Sequence, residues 1–228
     1  MIMKLTPYGV FALLTKSLAT QGFALLGAMV EYALIMLLVI VVHFLVVYLP
    51  LIKLAGANLF TFLKKVFPAL AVAFSTSSSS ATLPVAMKVA EENLGVPKTY
   101  SSFVLPLGTT INMNATAIMQ GLAVVFLANI YGINLSLYDL IGAAALALMA
   151  TVGAAGIPGS GLITLTIVLL QYGIPIEGIG IIIGIDRLME MLRTLMNILG
   201  DIIATVIVAK SEKQLDIIAL NDKNIKSI

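Results

Sequence analysis

The stretch GIDRLMEMLRTLMNILGD, residues 184–201, sets Asp186, Arg187, Glu190, Arg193 and Asp201 inside a chain that is 60% hydrophobic and 11% charged. On a helix turning about 100° per residue, Asp186, Glu190, Arg193, Asn197 and Asp201 fall at about 0°, 40°, 340°, 20° and 60°. They make one narrow stripe, and the remaining faces carry Leu188, Met189, Leu192, Leu195, Met196, Ile198 and Leu199. Charges of both signs on one line neutralise one another, and the amide of Asn197 between them leaves capacity for a ligand. Ionisable residues at membrane depth face a bundle interior or a wet cavity and mark a substrate or ion path. The competing reading is a buried salt-bridge network that binds nothing.

Working outward, the mean hydropathy of +1.09 is that of a chain built for a bilayer. Residues 32–51 and 103–131 reach the roughly 20 residues that a helix needs to cross it. No cleavable signal pattern is expected, because the first apolar stretch starts almost at Met1. Without cysteine, disulfides and thiolate chemistry are excluded, and a single histidine excludes a multi-histidine zinc site. His43 lies on an apolar helix and reads as a packing residue rather than a proton relay. The net charge of +2 carries no argument for nucleic acid, which is not an expected partner. No lysine or arginine occurs between Lys98 and Arg187, whereas Lys53, Lys64, Lys65, Lys88, Lys98, Lys210 and Lys213 gather at other segment ends. By the positive-inside rule those ends, and the C-terminus, are cytoplasmic.

Two segments do not read as plain spanning helices. Residues 58–94 carry STSSSSAT in their middle, and residues 136–173 carry GAAGIPGSG. Each is shorter than the roughly 40 residues that two crossings require, so both read as re-entrant helical hairpins entering from opposite sides. A further break falls at TTINMNAT, residues 109–116. Irregular backbone at that depth survives only beside protein or a water-filled cavity. Paired interruptions facing opposite sides point to an inverted-repeat transporter with its site near the midplane. The glycines of GIPGSG lack the Lys-Ser/Thr and the preceding strand of a phosphate loop, so nucleotide binding is not expected. The fold class expected is an all-α integral membrane protein.

SSSSATLP (77–84), PLGTTINMNAT (106–116), AAGIPGSG (154–161) and DRLMEMLRTLMNILGD (186–201), in this order, resemble the dicarboxylate/amino acid:cation symporters, the glutamate transporter family. The resemblance implies the part of an elevator-type fold from the fifth transmembrane helix onward, with four helices missing before Met1. Residues 1–26 would hold the last scaffold helix. Residues 27–210 would form the transport domain: a helix at 27–54, hairpin 58–94, a broken helix at 100–131, hairpin 136–173 and the charged helix at 175–210. Residues 211–228 would be a cytoplasmic tail.

The resemblance further implies a sodium-coupled symporter of glutamate or aspartate in the plasma membrane, homotrimeric once its scaffold is supplied, and not an enzyme. The expected substrate contacts are Ser77, Ser79, Thr116, Ile157, Gly161, Glu190, Arg193, Thr194 and Asn197. Glu190 would pair with the α-amino group and Arg193 with the side-chain carboxylate, which its planar fork suits. Glu190 stands where the family usually has aspartate. Gly108, Asn112, Asn197 and Asp201 resemble one sodium site, and Thr110, Thr151, Val152 and Ala154 a second. Asn114 replaces the aspartate of a third, which is not expected here. The alternatives are proton coupling, a C4-dicarboxylate substrate, and a non-transporting fragment.

Overall fold

Helix boundaries in this chain follow from its prolines, glycines and capping side chains. A computed structural model describes residues 22–224 together with Phe11, Ala12, Thr15, Leu18 and Ala19. The scaffold helix expected within residues 1–26 therefore lies mostly outside the described residues. The first long element runs through α1 (Ala24–His43), a π-helical turn (Phe44–Tyr48) and α2 (Leu49–Ala55). Pro50 has no N–H and its ring crowds the carbonyl four residues back, so the chain widens by one residue per turn just before it. Leu49 N–H accordingly reaches the Phe44 carbonyl. Gly56, at φ 85°, ends α2 in the left-handed region that favours glycine.

Helices α3 (Leu59–Thr76) and α4 (Ser79–Glu92) form the first hairpin. Asn58 caps α3 by accepting from Thr61 N–H at 3.2 Å, and Ser78 caps α4 by accepting from Ala81 N–H at 3.2 Å. The tip between them is Ser77, at φ 52°, and Ser78. Helices α5 (Lys98–Ile111) and α6 (Asn114–Ile130) are one element broken at Asn112 and Met113, inside the TTINMNAT stretch. Helices α7 (Leu137–Val152) and α8 (Ser160–Gln171) form the second hairpin. It opens on a capping box in which Ser136 and Asp139 satisfy each other's backbone N–H groups. A 3-10 turn (Ile176–Gly178) leads into α9 (Ile179–Ser211), the charged helix of 33 residues.

Among the described residues, four helical segments are long and apolar enough to cross a membrane: Leu25–Ala55, Leu59–Thr76, Lys98–Ile130 and Ile176–Ser211. The remaining hairpin arms have 14, 16 and 12 residues. At 1.5 Å per residue they reach about 21, 24 and 18 Å, short of the roughly 30 Å of hydrocarbon. The fold is all-α, with no strand among the described residues.

Helix α9 is the axis of the structure, packing against α1 through α6. In its most apolar window 67% is buried, against 22% for α1–α2, whose Leu34, Leu38, Val42 and Val46 face outward. The polar stripe of α9 thus points into protein. Residues 211–228 carry a feature that their sequence does not announce. Helix α10 (Ile217–Asn221) folds back on the lysine-bearing end of the bundle, where Leu220 is fully buried.

Candidate functional site

The break between α5 and α6, the two hairpin tips and the middle of α9 converge on one cavity. All nine residues expected to contact substrate line it: Ser77, Ser79, Thr116, Ile157, Gly161, Glu190, Arg193, Thr194 and Asn197. So do Met113, Ala155, Gly156 and Ser160, which the sequence reading did not name although they sit in motifs it singled out. The free space is about 20 Å³, the size of a single water. The hairpin tips are closed down over their own polar groups.

Each charge at the cavity has a partner. Arg193 Nη1 donates to Asp186 Oδ1 at 2.5 Å and Nη2 to Oδ2 at 3.4 Å, and both residues are buried. This two-point contact keeps a guanidinium at membrane depth from being an uncompensated charge. Glu190 Oε1 accepts from the backbone N–H of Gly159 on the second hairpin tip. Its Oε2 pairs with Arg187 Nη1 at 3.3 Å. Thr194 Oγ1 donates to the Glu190 carbonyl at 2.9 Å. Asn197 ties α9 to the start of α6: its Oδ1 accepts from Ala115 N–H at 2.9 Å, and its Nδ2 donates to Thr116 Oγ1 at 3.1 Å. Ala115 N–H is one of the unpaired donors that a helix start leaves over, so the asparagine completes the break.

The two tips are joined through one carbonyl. Gly156 O accepts from Ser78 Oγ at 2.9 Å and from Ser80 N–H at 3.0 Å. A Cβ on Gly156 would stand 2.8 Å from Ser80 Oγ and 3.1 Å from Ser80 N, so only glycine permits this approach. Ser77 Oγ is buried with no hydrogen-bond partner among the described residues.

Behind the cavity lies Asp201, 1% exposed. Its Oδ1 accepts from Asn112 Nδ2 at 2.8 Å, while Oδ2 is buried with no hydrogen-bond partner among the described residues. Gly108 leaves room for it, since a Cβ there would stand 2.7 Å from Asp201 Oδ1. Gly108, Asn112 and Asp201 are therefore brought together, and Asn197 reaches the same break from one turn earlier on α9. A buried carboxylate oxygen with no donor is costly, and a small cation with oxygen preference satisfies it. That donor set fits an alkali cation. Among the described residues no three His, Asp or Glu side chains converge as a multivalent metal centre requires.

The second expected cation set is less tightly drawn. Thr151 and Ala154 are buried at the end of α7, Val152 is exposed, and Ala154 N–H donates to the Thr151 carbonyl at 3.0 Å. Thr110 lies on α5, which packs against α7, and its hydroxyl donates to the Leu107 carbonyl of its own helix. Asn114 hydrogen-bonds to the Tyr48 hydroxyl, and Tyr48 also donates to the Met196 carbonyl at 3.2 Å. His43 packs edge-on against the Tyr48 ring.

The profile of the sodium:dicarboxylate symporter family matches residues 1–211. The chain is 36% identical over 213 residues to the proton/sodium-glutamate symport protein of Geobacillus stearothermophilus, covering 93% of this chain and 50% of that one. It is 33% identical over 222 residues to the proton/glutamate-aspartate symporter of Escherichia coli, covering 95% and 49%. It is 41% identical over 217 residues to the excitatory amino acid transporter 4 of Rattus norvegicus, covering 92% and 38%. The chain thus spans half or less of the length of these curated relatives. The match takes in the serine-rich tip, the helix break, the GIPGSG tip and the charged stripe, the same parts that close around the cavity, and on that ground the chain belongs to the sodium:dicarboxylate symporter family.

Proposed function

We propose that this chain supplies the substrate- and ion-binding part of a secondary transporter that carries glutamate or aspartate together with sodium. The observation that carries the reading is the convergence on one cavity of a fork-shaped cation, Arg193, and a carboxylate, Glu190, with the half-partnered Asp201 behind them. An acidic amino acid offers the complementary set. Its side-chain carboxylate takes the guanidinium of Arg193 in competition with Asp186, and its ammonium takes Glu190. Its α-carboxylate meets the serine tip, where the start of α4 presents N–H groups. A cation at Asp201 neutralises the carboxylate next to the break that holds Asn197 and Thr116, so ion and substrate support each other through α6.

In this reading the lysine-rich end, including Lys65 and Lys210, faces the cytoplasm, and the chain resides in the plasma membrane. Residues 27–210 move as a transport domain against a scaffold, in a trimer, as an elevator. A second reading replaces sodium by a proton. It is favoured by the orphaned Asp201 Oδ2, which a proton would also satisfy, and the names of the bacterial relatives include both ions.

Calorimetric titration of aspartate, glutamate, succinate and neutral amino acids into the purified chain tests the substrate class, with Arg193→Ala as the comparison. The variant is expected to lose about 2 to 5 kcal/mol of acidic-ligand affinity, the range for removing one partner of a buried charge pair. Equal binding of aspartate by variant and parent would refute the assignment of Arg193.

A further inference from the structure

At the α5–α6 break, Asn112 (φ −92°, ψ 70°) and Met113 (φ −103°, ψ 50°) lie outside helical geometry. Side chains from elsewhere in the fold pin the break at three points. Asp201 holds the Asn112 amide, Asn197 holds Ala115 N–H, and Tyr48 holds the side chain of Asn114. The first pin is made by the carboxylate that a cation would need, and the second by a side chain that lines the cavity. Of the three, the last alone is made by a residue outside both sites. Tyr48 closes the π-helical turn Phe44–Tyr48, whose extra residue turns it by about 100° from where a continuous α-helix would point it. Its ring is 2% exposed, with His43 edge-on against it. Gly200 admits the hydroxyl to α9: a Cβ there would collide with Tyr48 Oη and stand 2.9 Å from Asn112 Nδ2. The hydroxyl and the Asn112 amide are therefore neighbours over the residue that precedes Asp201.

A phenolic hydroxyl has one proton to donate and lone pairs with which to accept. That of Tyr48 donates to the Met196 carbonyl at 3.2 Å. Its proton is spent there, so its bond with Asn114 is one accepted from the side-chain amide. An ionised carboxylate at position 114 could only accept, and would compete with Met196 for the same proton. The amide is what lets one oxygen join α6 to α9.

We propose that Tyr48 is a positioning residue for the cation site: its hydroxyl bridges Asn114 and the Met196 carbonyl, fixes the α5–α6 break against α9, and so holds Asn112 beside Asp201 without touching the ion. That the site takes a cation rests on the functional reading above. Tyr48→Phe keeps the ring and its packing and removes the bridge. The two non-helical residues of the break then lose their one ligand-independent pin, and ion binding has to order them as well. Such ordering weakens affinity without altering any group that meets the ion.

The test uses the purified full chain without substrate. Its thermal midpoint is followed as sodium chloride replaces choline chloride at fixed pH and ionic strength, because an ion that binds the folded state raises the midpoint as its site fills. Tyr48→Phe should raise the half-saturating sodium concentration about fivefold or more, the effect of losing one buried hydrogen-bond bridge. Asn114→Leu, which removes the other end of the bridge, should do the same. Tyr32→Phe is the control: Tyr32 lies on the same long element, is 1% exposed, and its hydroxyl has no hydrogen-bond partner among the described residues. It should stay within about twofold of the parent. A Tyr48→Phe chain that melts lower at every sodium concentration but half-saturates with the parent would overturn the proposal, since that is the mark of a merely structural residue. An equal shift in Tyr32→Phe would overturn it too. Where Tyr48→Phe shows no cooperative transition, Asn114→Leu decides by the same criterion. A parent midpoint indifferent to sodium would remove the sodium reading and this proposal with it, whereas a responsive parent matched by both bridge variants would remove the proposal alone.

Discussion

At the scale of single residues, the side chains that carry charge were legible in the sequence and their partners were not. A stripe at helical spacing gives Asp186, Glu190, Arg193, Asn197 and Asp201 one face, because the geometry of a helix is local. That Arg193 is held by Asp186 at 2.5 Å depends on rotamers and on the burial of both. That Glu190 reaches Gly159 depends on a hairpin 31 positions earlier in the chain. Gly156 lies within the AAGIPGSG motif, but its role is not legible there, since it consists in what the missing Cβ lets approach. Gly156→Ala is expected to push Ser80 away and loosen both bonds to the Gly156 carbonyl. The cost of such overpacking is about 1–3 kcal/mol. Thermal unfolding of the purified variant reads that cost as a lowered midpoint.

At the scale of elements, the breaks were readable because polar and glycine-rich runs inside apolar sequence have few alternatives. TTINMNAT places the interruption at Asn112 and Met113, and the serine run places the first tip at Ser77 and Ser78. Hairpin arms of 14, 16 and 12 residues follow from the spacing of those runs. What the spacing does not reveal is the anchoring of the C-terminal segment. QLDIIALN is too short and too weakly periodic to announce a helix, yet Asp216 caps α10 by accepting from Ala219 N–H at 2.9 Å. Asn221 then accepts from Asn58 N–H at 2.9 Å and donates to the Gly56 carbonyl at 3.0 Å. Lys65, buried at the same place, donates to the Asn93 carbonyl at 2.7 Å and to that of Ala219. The short helix thereby ties the base of the first hairpin to the end of α9. Leu220→Ala empties a fully buried position and should cost about 2–4 kcal/mol. Hydrogen exchange is expected to accelerate at residues 56–66 and 93–96, with the cavity end of α9 unchanged.

At the scale of the whole molecule, one long helix with a polar stripe organises everything else, and the two hairpins and the broken helix deliver their irregular backbone to the same depth on it. Opposed helix ends at the Asn112–Met113 break, α5 carbonyls on one side and α6 N–H groups on the other, suit a cation and an anion side by side. Asp201 and Arg193 sit about two turns apart on α9, which packs against both α5 and α6. The account therefore predicts a coupling between ion and substrate that a salt-bridge network without ligands does not have. Linkage makes the coupling reciprocal, so each ligand raises the affinity for the other by the same factor.

The most direct test of the central claim is the aspartate affinity of the purified chain, titrated at fixed pH over a range of sodium concentrations with potassium or choline as replacement. The account predicts that the apparent Kd falls as sodium rises, by about tenfold or more over the range in which the Asp201 site fills. It also predicts that Asp201→Asn shifts this dependence to higher sodium without abolishing binding at saturation. An aspartate affinity that is unchanged by sodium in the parent protein would contradict it.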